Sequence, residues 1–118
     1  MKTTISLKLF SLLTMTFLIF TVFSSEIGTA NAQKYSVLAS FPVGNGPFGV
    51  AINPTNGLVY VTNGLSNFVS VINPATNTVV ATILVGQFPR PIAVNPTNGL
   101  VYVTNVRSNT VSVVSTAS

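Results

Sequence analysis

The stretch NPTNGLVYVTN stands at Asn53–Asn63 and again, without a change, at Asn95–Asn105. The two copies begin 42 residues apart, and the likeness runs outward from both. Upstream, VGNGPFGVAI (Val43–Ile52) aligns with VGQFPRPIAV (Val85–Val94). Downstream, SNFVSVI (Ser66–Ile72) aligns with SNTVSVV (Ser108–Val114). Earlier still, SVLASFPV (Ser36–Val43) aligns with TVVATILV (Thr78–Val85). Nearly all of the chain after residue 33 is therefore two passes through one unit, and a repeat of this length has to be read before any single element.

Each unit reads as four short strands. PFGVAI (Pro47–Ile52) ends at the turn NPTNG. LVYVT (Leu58–Thr62) is β-branched and aromatic, and FVSVI (Phe68–Ile72) alternates. TVVATILV (Thr78–Val85) follows the turn NPATN and completes the pass. Strands of about five residues between turn clusters predict an all-β fold. The turns have a mechanism: Pro54 presets φ, and Asn56-Gly57 can take the left-handed conformation that returns the chain to a strand. The same holds for Asn95–Gly99.

A four-stranded unit of about 40–45 residues, repeated, is the signature of a β-propeller blade. YVTN at Tyr60, Val61, Thr62 and Asn63, and at Tyr102, Val103, Thr104 and Asn105, sits inside this pattern. The whole resembles the YVTN-family β-propeller repeat of archaeal surface-layer proteins and related exported propellers. The resemblance covers Val37–Val114 and implies four-stranded antiparallel blades and a place at the cell surface. It also implies that the YVTN positions are structural. Such propellers carry about six to eight blades, whereas this chain has two.

Blades bury both faces against neighbours, which accounts for strands apolar on both sides. A lone pair leaves two faces in water and forgoes, at about 25 cal/mol per Å², a large part of a domain's 5–15 kcal/mol. With strands named A to D from axis to rim, the expected order is D-A-B-C-D-A-B-C over residues 33–118, beginning with an orphan D strand at Ser36–Val43. Two completions follow: a ring of three or four copies in which one chain's first strand finishes another's last blade, or a longer propeller of which this is a part.

The N-terminus has the layout of a secretory signal, residues 1–32. Lys2 and Lys8 precede the uncharged run Leu9–Phe23, and Ala30-Asn31-Ala32 forms a small-x-small cleavage site before Gln33. A retained anchor is the alternative, but the run is short against the roughly 20 residues of a spanning helix. The reading is a secreted or cell-surface protein with no membrane span once processed.

The remaining 86 residues hold Lys34, Arg90 and Arg107 and no Asp, Glu, His or Cys; the one acid, Glu26, lies in the leader. Three scattered cations are no nucleic-acid footprint. General acid–base catalysis, activated nucleophiles and ordinary metal sites all need the missing residue types. No catalytic residue, metal or cofactor is expected. Both Asn-Pro-Thr triplets fail as glycosylation sites because Pro occupies the middle position.

Binding is what remains. D–A and B–C loops of a propeller emerge at the same end, so Arg90 and Arg107 should share a face with Phe48, Leu65 and Phe88. That set is the candidate site, suited to a carboxylate or a glycan. The functional expectation is an exported, non-enzymatic repeat protein with a structural, adhesive, or protein- or glycan-binding role. Its partners would be other blades, copies of itself, or surface glycan and protein. The alternative is a truncated or non-catalytic relative of a propeller enzyme of the lactonase or dehydrogenase type.

Overall fold

The computed structural model describes residues 33–116. The proposed leader, residues 1–32, lies outside them. Internal contacts divide the chain into Met1–Leu38 and Ala39–Ser118. Of the first unit, residues 33–38 are described, and they carry neither helix nor strand. The second unit is all-β.

Seven strands follow one another in the second unit: β1 (Pro47–Ile52), β2 (Val59–Asn63), β3 (Phe68–Asn73), β4 (Thr78–Leu84), β5 (Pro89–Val94), β6 (Val101–Asn105) and β7 (Thr110–Val114). They form two antiparallel meanders, β1-β2-β3-β4 and β5-β6-β7. The repeat is reproduced down to its irregularities. Pro47 pairs with Asn63 and Pro89 with Asn105, and a bulge follows each proline. Proline lacks the ladder donor, so the first residue of a strand, beside a bulge, is where it can stand.

The NPTNG turns are built as their residues dictate. Asn53 Oδ1 accepts the Thr55 N–H at 3.0 Å, and the Gly57 N–H donates to the Asn53 carbonyl at 2.8 Å. Gly57 has φ of 72° and Gly99 of 71°, the left-handed region that glycine enters without penalty. Leu58, expected in the strand, belongs instead to the turn. Its N–H donates to Asn56 Oδ1 and its carbonyl accepts from the Asn53 N–H.

Ser36–Val43, read as an orphan D strand to be completed by a partner, carries no strand in the single chain. A strand exists only when its backbone groups are paired, and among the described residues this segment joins no ladder. The observed order is A-B-C-D-A-B-C, with a four-stranded sheet followed by a three-stranded one.

The core lies between the sheets. Tyr60, Val69 and Val71 of the first meet Val101 and Val103 of the second, with Ile83, Ile92, Val94 and Val114 packed around them. Directly paired residues share a side of a sheet. Tyr60 and Val71 are such a pair, as are Thr62 and Val69; together they make the side of the first sheet that faces the second.

Candidate functional site

The YVTN residues hold the blades. Asn63 Oδ1 accepts the Gly44 N–H at 3.0 Å, while its Nδ2 donates to Ser70 Oγ at 2.9 Å and to the Phe68 carbonyl at 3.2 Å. Asn105 repeats this with the Gly86 N–H at 3.0 Å and Ser112 Oγ at 2.8 Å. Tyr60 is fully buried, and its hydroxyl accepts from Asn56 Nδ2 at 3.0 Å. Val103 is buried in the joint between sheets, and Val61 and Tyr102 are half-buried. Thr62 donates its hydroxyl across the joint to the Arg90 carbonyl at 2.6 Å, whereas its repeat mate Thr104 is exposed. Thr104 apart, the side chains of this set are buried or half-buried.

The five residues read from the sequence as a candidate site come together at the end of the sheets opposite the NPTNG turns. Arg90, the second residue of β5, lies with its guanidinium carbon 4.2 Å from the centroid of the Phe88 ring and 4.8 Å from that of Phe48. Arg107, from the β6–β7 loop, lies 4.6 Å from the centroid of the same Phe88 ring. Two hollows adjoin this cluster. One, of about 240 Å³, is lined by Phe48, Leu65, Phe88 and Arg90; the other, of about 250 Å³, by Leu65, Asn67, Gln87, Phe88 and Arg107. Gly64, Leu65 and Phe88 line both.

Phe88 reaches this place at a cost. Its φ is 56°, in the region a bulky side chain rarely enters. In the first repeat the same position is Gly46, with φ of 63°. The turn demands a left-handed residue at both positions, and only the second repeat puts a ring there. Asn67 braces it, its Oδ1 accepting the Phe88 N–H at 3.0 Å. The ring then serves as one platform for two cations, each contact worth about 0.5–1 kcal/mol at an exposed site.

No Asp or Glu occurs between Gln33 and Ser118 to neutralise the pair. The arrangement can therefore receive an anion: two planar donor forks beside apolar walls. It offers no acid, base or nucleophile. Asn67 and Gln87, which line the second hollow, were not singled out in the sequence. The available signal was the alignment itself, where Phe88 interrupts a glycine position.

No family model matches the chain. A PE-PGRS family protein of Mycobacterium tuberculosis (strain ATCC 25618 / H37Rv), PE_PGRS18, is 64% identical over 31 residues, which are 26% of this chain and 7% of that protein. Among solved structures, the hydrazine synthase of Kuenenia stuttgartiensis matches with a TM-score of 0.58 and 26% identity, over 70% of this chain and 24% of that one. The chain thus spans about a quarter of that structure and a small part of the mycobacterial protein. Hydrazine synthase contains β-propeller domains. With that likeness and the two repeated antiparallel meanders, the fold of this chain is that of consecutive β-propeller blades, the first with four strands and the second with three.

Proposed function

We propose that the chain is an exported, non-enzymatic β-propeller repeat protein that binds an acidic glycan or a carboxylate-bearing protein at the cell surface, in a structural or adhesive role. The observation that carries this reading is Phe88. A backbone outlier costs about 1–3 kcal/mol and persists where the surroundings or a function hold it. Here the strained position brings a ring under both arginines, where the first repeat manages with glycine. The YVTN-type signature and the leader-like N-terminus support the location. The absence of His, Cys, Asp and Glu after residue 33 supports the non-enzymatic role.

A second reading, a non-catalytic or truncated relative of a propeller enzyme, is favoured by the likeness to hydrazine synthase. Its signature would be association with a catalytic subunit rather than with glycan.

The deciding experiment is calorimetric titration with polygalacturonate and, in parallel, with neutral dextran of matched length. Binding to the acidic chain alone, weakened by salt as exposed charge pairs are, is the expected result. The double variant Arg90→Ala/Arg107→Ala should bind at least tenfold more weakly. Equal binding by the double variant and the parent would overturn the reading.

A further inference from the structure

The joint between the two sheets presents the same pair of surfaces twice, once closed and once open. In the closed joint, Ile92, Val94, Val101 and Val103 of the second sheet are packed against the side of the first that carries Tyr60, Thr62, Val69 and Val71. One repeat earlier, the equivalents of the former are Val50, Ile52, Val59 and Val61. Val50 is 68% exposed and Ile52 67%, and both valines of β2 are half-buried. One repeat later, the equivalents of the latter are Tyr102, Thr104, Val111 and Val113. Val111 and Val113 are each 57% exposed, against 1% for Val69 and 4% for Val71. The chain thus shows both halves of its own internal contact to solvent, on opposite ends of the array.

We propose that a second copy of this chain docks there head to tail, its second sheet packing on the first sheet of its neighbour and repeating the internal joint between chains. Polar groups support the match. Across the internal joint, Asn53 Nδ2 donates to the Gly99 carbonyl at 2.9 Å, and a Cβ on Gly99 would lie 2.5 Å from Thr55 Oγ1. Gly57, the equivalent of Gly99, has nothing within 4 Å of its Cβ position. It is an empty seat for Thr97 of the next copy, and its carbonyl, which accepts no hydrogen bond among the described residues, would receive that copy's Asn95 Nδ2. Likewise Asn67 Oδ1 receives the Phe88 N–H internally; Asn109 of one copy would receive the Gly46 N–H of another.

The same docking completes the short sheet. β7 has an open edge where β3 has β4. Ser36–Val43 is the sequence equivalent of Thr78–Val85 and lacks a partner strand. Its exit is already set. The Gly44 N–H is held by Asn63 Oδ1 at 3.0 Å, as the Gly86 N–H is held by Asn105 Oδ1 at 3.0 Å. Transferring the β3–β4 register, in which Ser70 faces Thr82 and Val69 faces Ile83, places Ser40 opposite Ser112 and Phe41 opposite Val111 of the neighbouring copy.

Two glycines that face the internal joint are replaced one repeat later. Pro91 stands where Gly49 stands, and a Cβ on Gly49 would lie 2.8 Å from the Arg90 carbonyl. Val106 replaces Gly64, whose Cβ position is 3.3 Å from the Pro89 carbonyl. Both lie at the arginine end, so the joint between copies is wider there and closes at the NPTNG end. A head-to-tail contact of this kind gives a closed ring or an open fibre; a ring of two to four copies would fall within the roughly four to eight blades of known propellers.

The chain has no cysteine, so an introduced pair gives a clean readout. Full chains carrying Ser40→Cys and full chains carrying Ser112→Cys are mixed and mildly oxidised; a covalent heterodimer is expected, and its absence overturns the strand donation. Light scattering on the unmodified full chain should give a small integer multiple of the chain mass, and a monodisperse folded monomer overturns the docking. The Val50→Asp and Val113→Asp variants each remove one half of the contact and should each be monomeric. Their equimolar mixture should form a one-to-one dimer through the two intact halves. A mixture that stays monomeric overturns the head-to-tail arrangement.

Discussion

The Thr62 hydroxyl donates to the Arg90 carbonyl at 2.6 Å and also receives the Gly49 N–H at 2.9 Å. One buried hydroxyl therefore ties β1 and β2 of the first blade to β5 of the second, at the residue whose side chain forms half of the arginine pair. Thr62→Val keeps the shape and removes both bonds, leaving a partly buried carbonyl and amide unpaired. The expected loss is about 1–3 kcal/mol, read as a lower midpoint in thermal or urea unfolding. In a background held monomeric by Val50→Asp, Thr104→Val, at the exposed equivalent position, should stay within about 0.5 kcal/mol of that background. Equal losses at the two sites would show that the joint does not contribute.

The two turn glycines make a second matched pair. In a background held monomeric by Val50→Asp, Gly57→Ala meets no neighbouring atom, so its cost is that of a left-handed alanine, about 1–2 kcal/mol. Gly99→Ala adds the collision with Thr55 Oγ1. Gly99→Ala should therefore be the more destabilising by at least about 1 kcal/mol, measured by urea denaturation of both variants in parallel.

Phe88→Gly separates stability from binding. Removing the ring relieves the left-handed strain, so stability should be unchanged or rise by up to about 1 kcal/mol, offset by the lost ring contacts. Binding of polygalacturonate should fall as far as in the double arginine variant. A stable Phe88→Gly protein that binds like the parent would remove the ring from the site.

Arg90→Lys keeps the charge but loses the planar fork that stacks on Phe88 and Phe48. Lysine is not a substitute at a stacked site. A drop in polygalacturonate affinity of about 3- to 10-fold is expected, corresponding to roughly 0.7–1.4 kcal/mol. Retained affinity would mean that net charge alone attracts the ligand.

The Pro91→Gly variant probes the contact between copies. It restores the residue found at the closed joint, where a Cβ would crowd a carbonyl. Sedimentation velocity should show association persisting to lower concentration than in the parent.

The strands and turns could be read in advance because they rest on local rules. Pro47 and Pro89 mark strand starts, Gly57 and Gly99 the turns, and the 42-residue spacing the unit. The gathering of Arg90, Arg107, Phe48, Phe88 and Leu65 followed from loop order alone. What the sequence did not disclose depends on neighbours in space. Thr62 and Thr104 are the same letter in the same phrase, yet one is buried and the other exposed, because only the first has a blade in front of it. Ser36–Val43 carries a strand's pattern and forms no strand, because pairing is a property of two segments. The left-handed φ of Phe88 is a third case: composition rules favour glycine there, and tertiary context overrode them.

The identity of Asn53–Asn63 and Asn95–Asn105 has one more consequence, for folding. β6 could take the place of β2 between β1 and β3 and offer the ladder every group that β2 offers. The folding chain thus holds two interchangeable strands and a mispaired alternative with nearly native contacts, a hazard typical of tandem repeats. What opposes it is connectivity. β2 reaches β1 through a six-residue connection, Asn53–Leu58, while β6 must close a loop of 48 residues, Asn53–Leu100, to reach the same partner. Closing the longer loop costs about 2 kcal/mol more, a margin near 30-fold. Lengthening the Asn53–Leu58 connection would erode that margin and populate a strand-exchanged form of the same sequence.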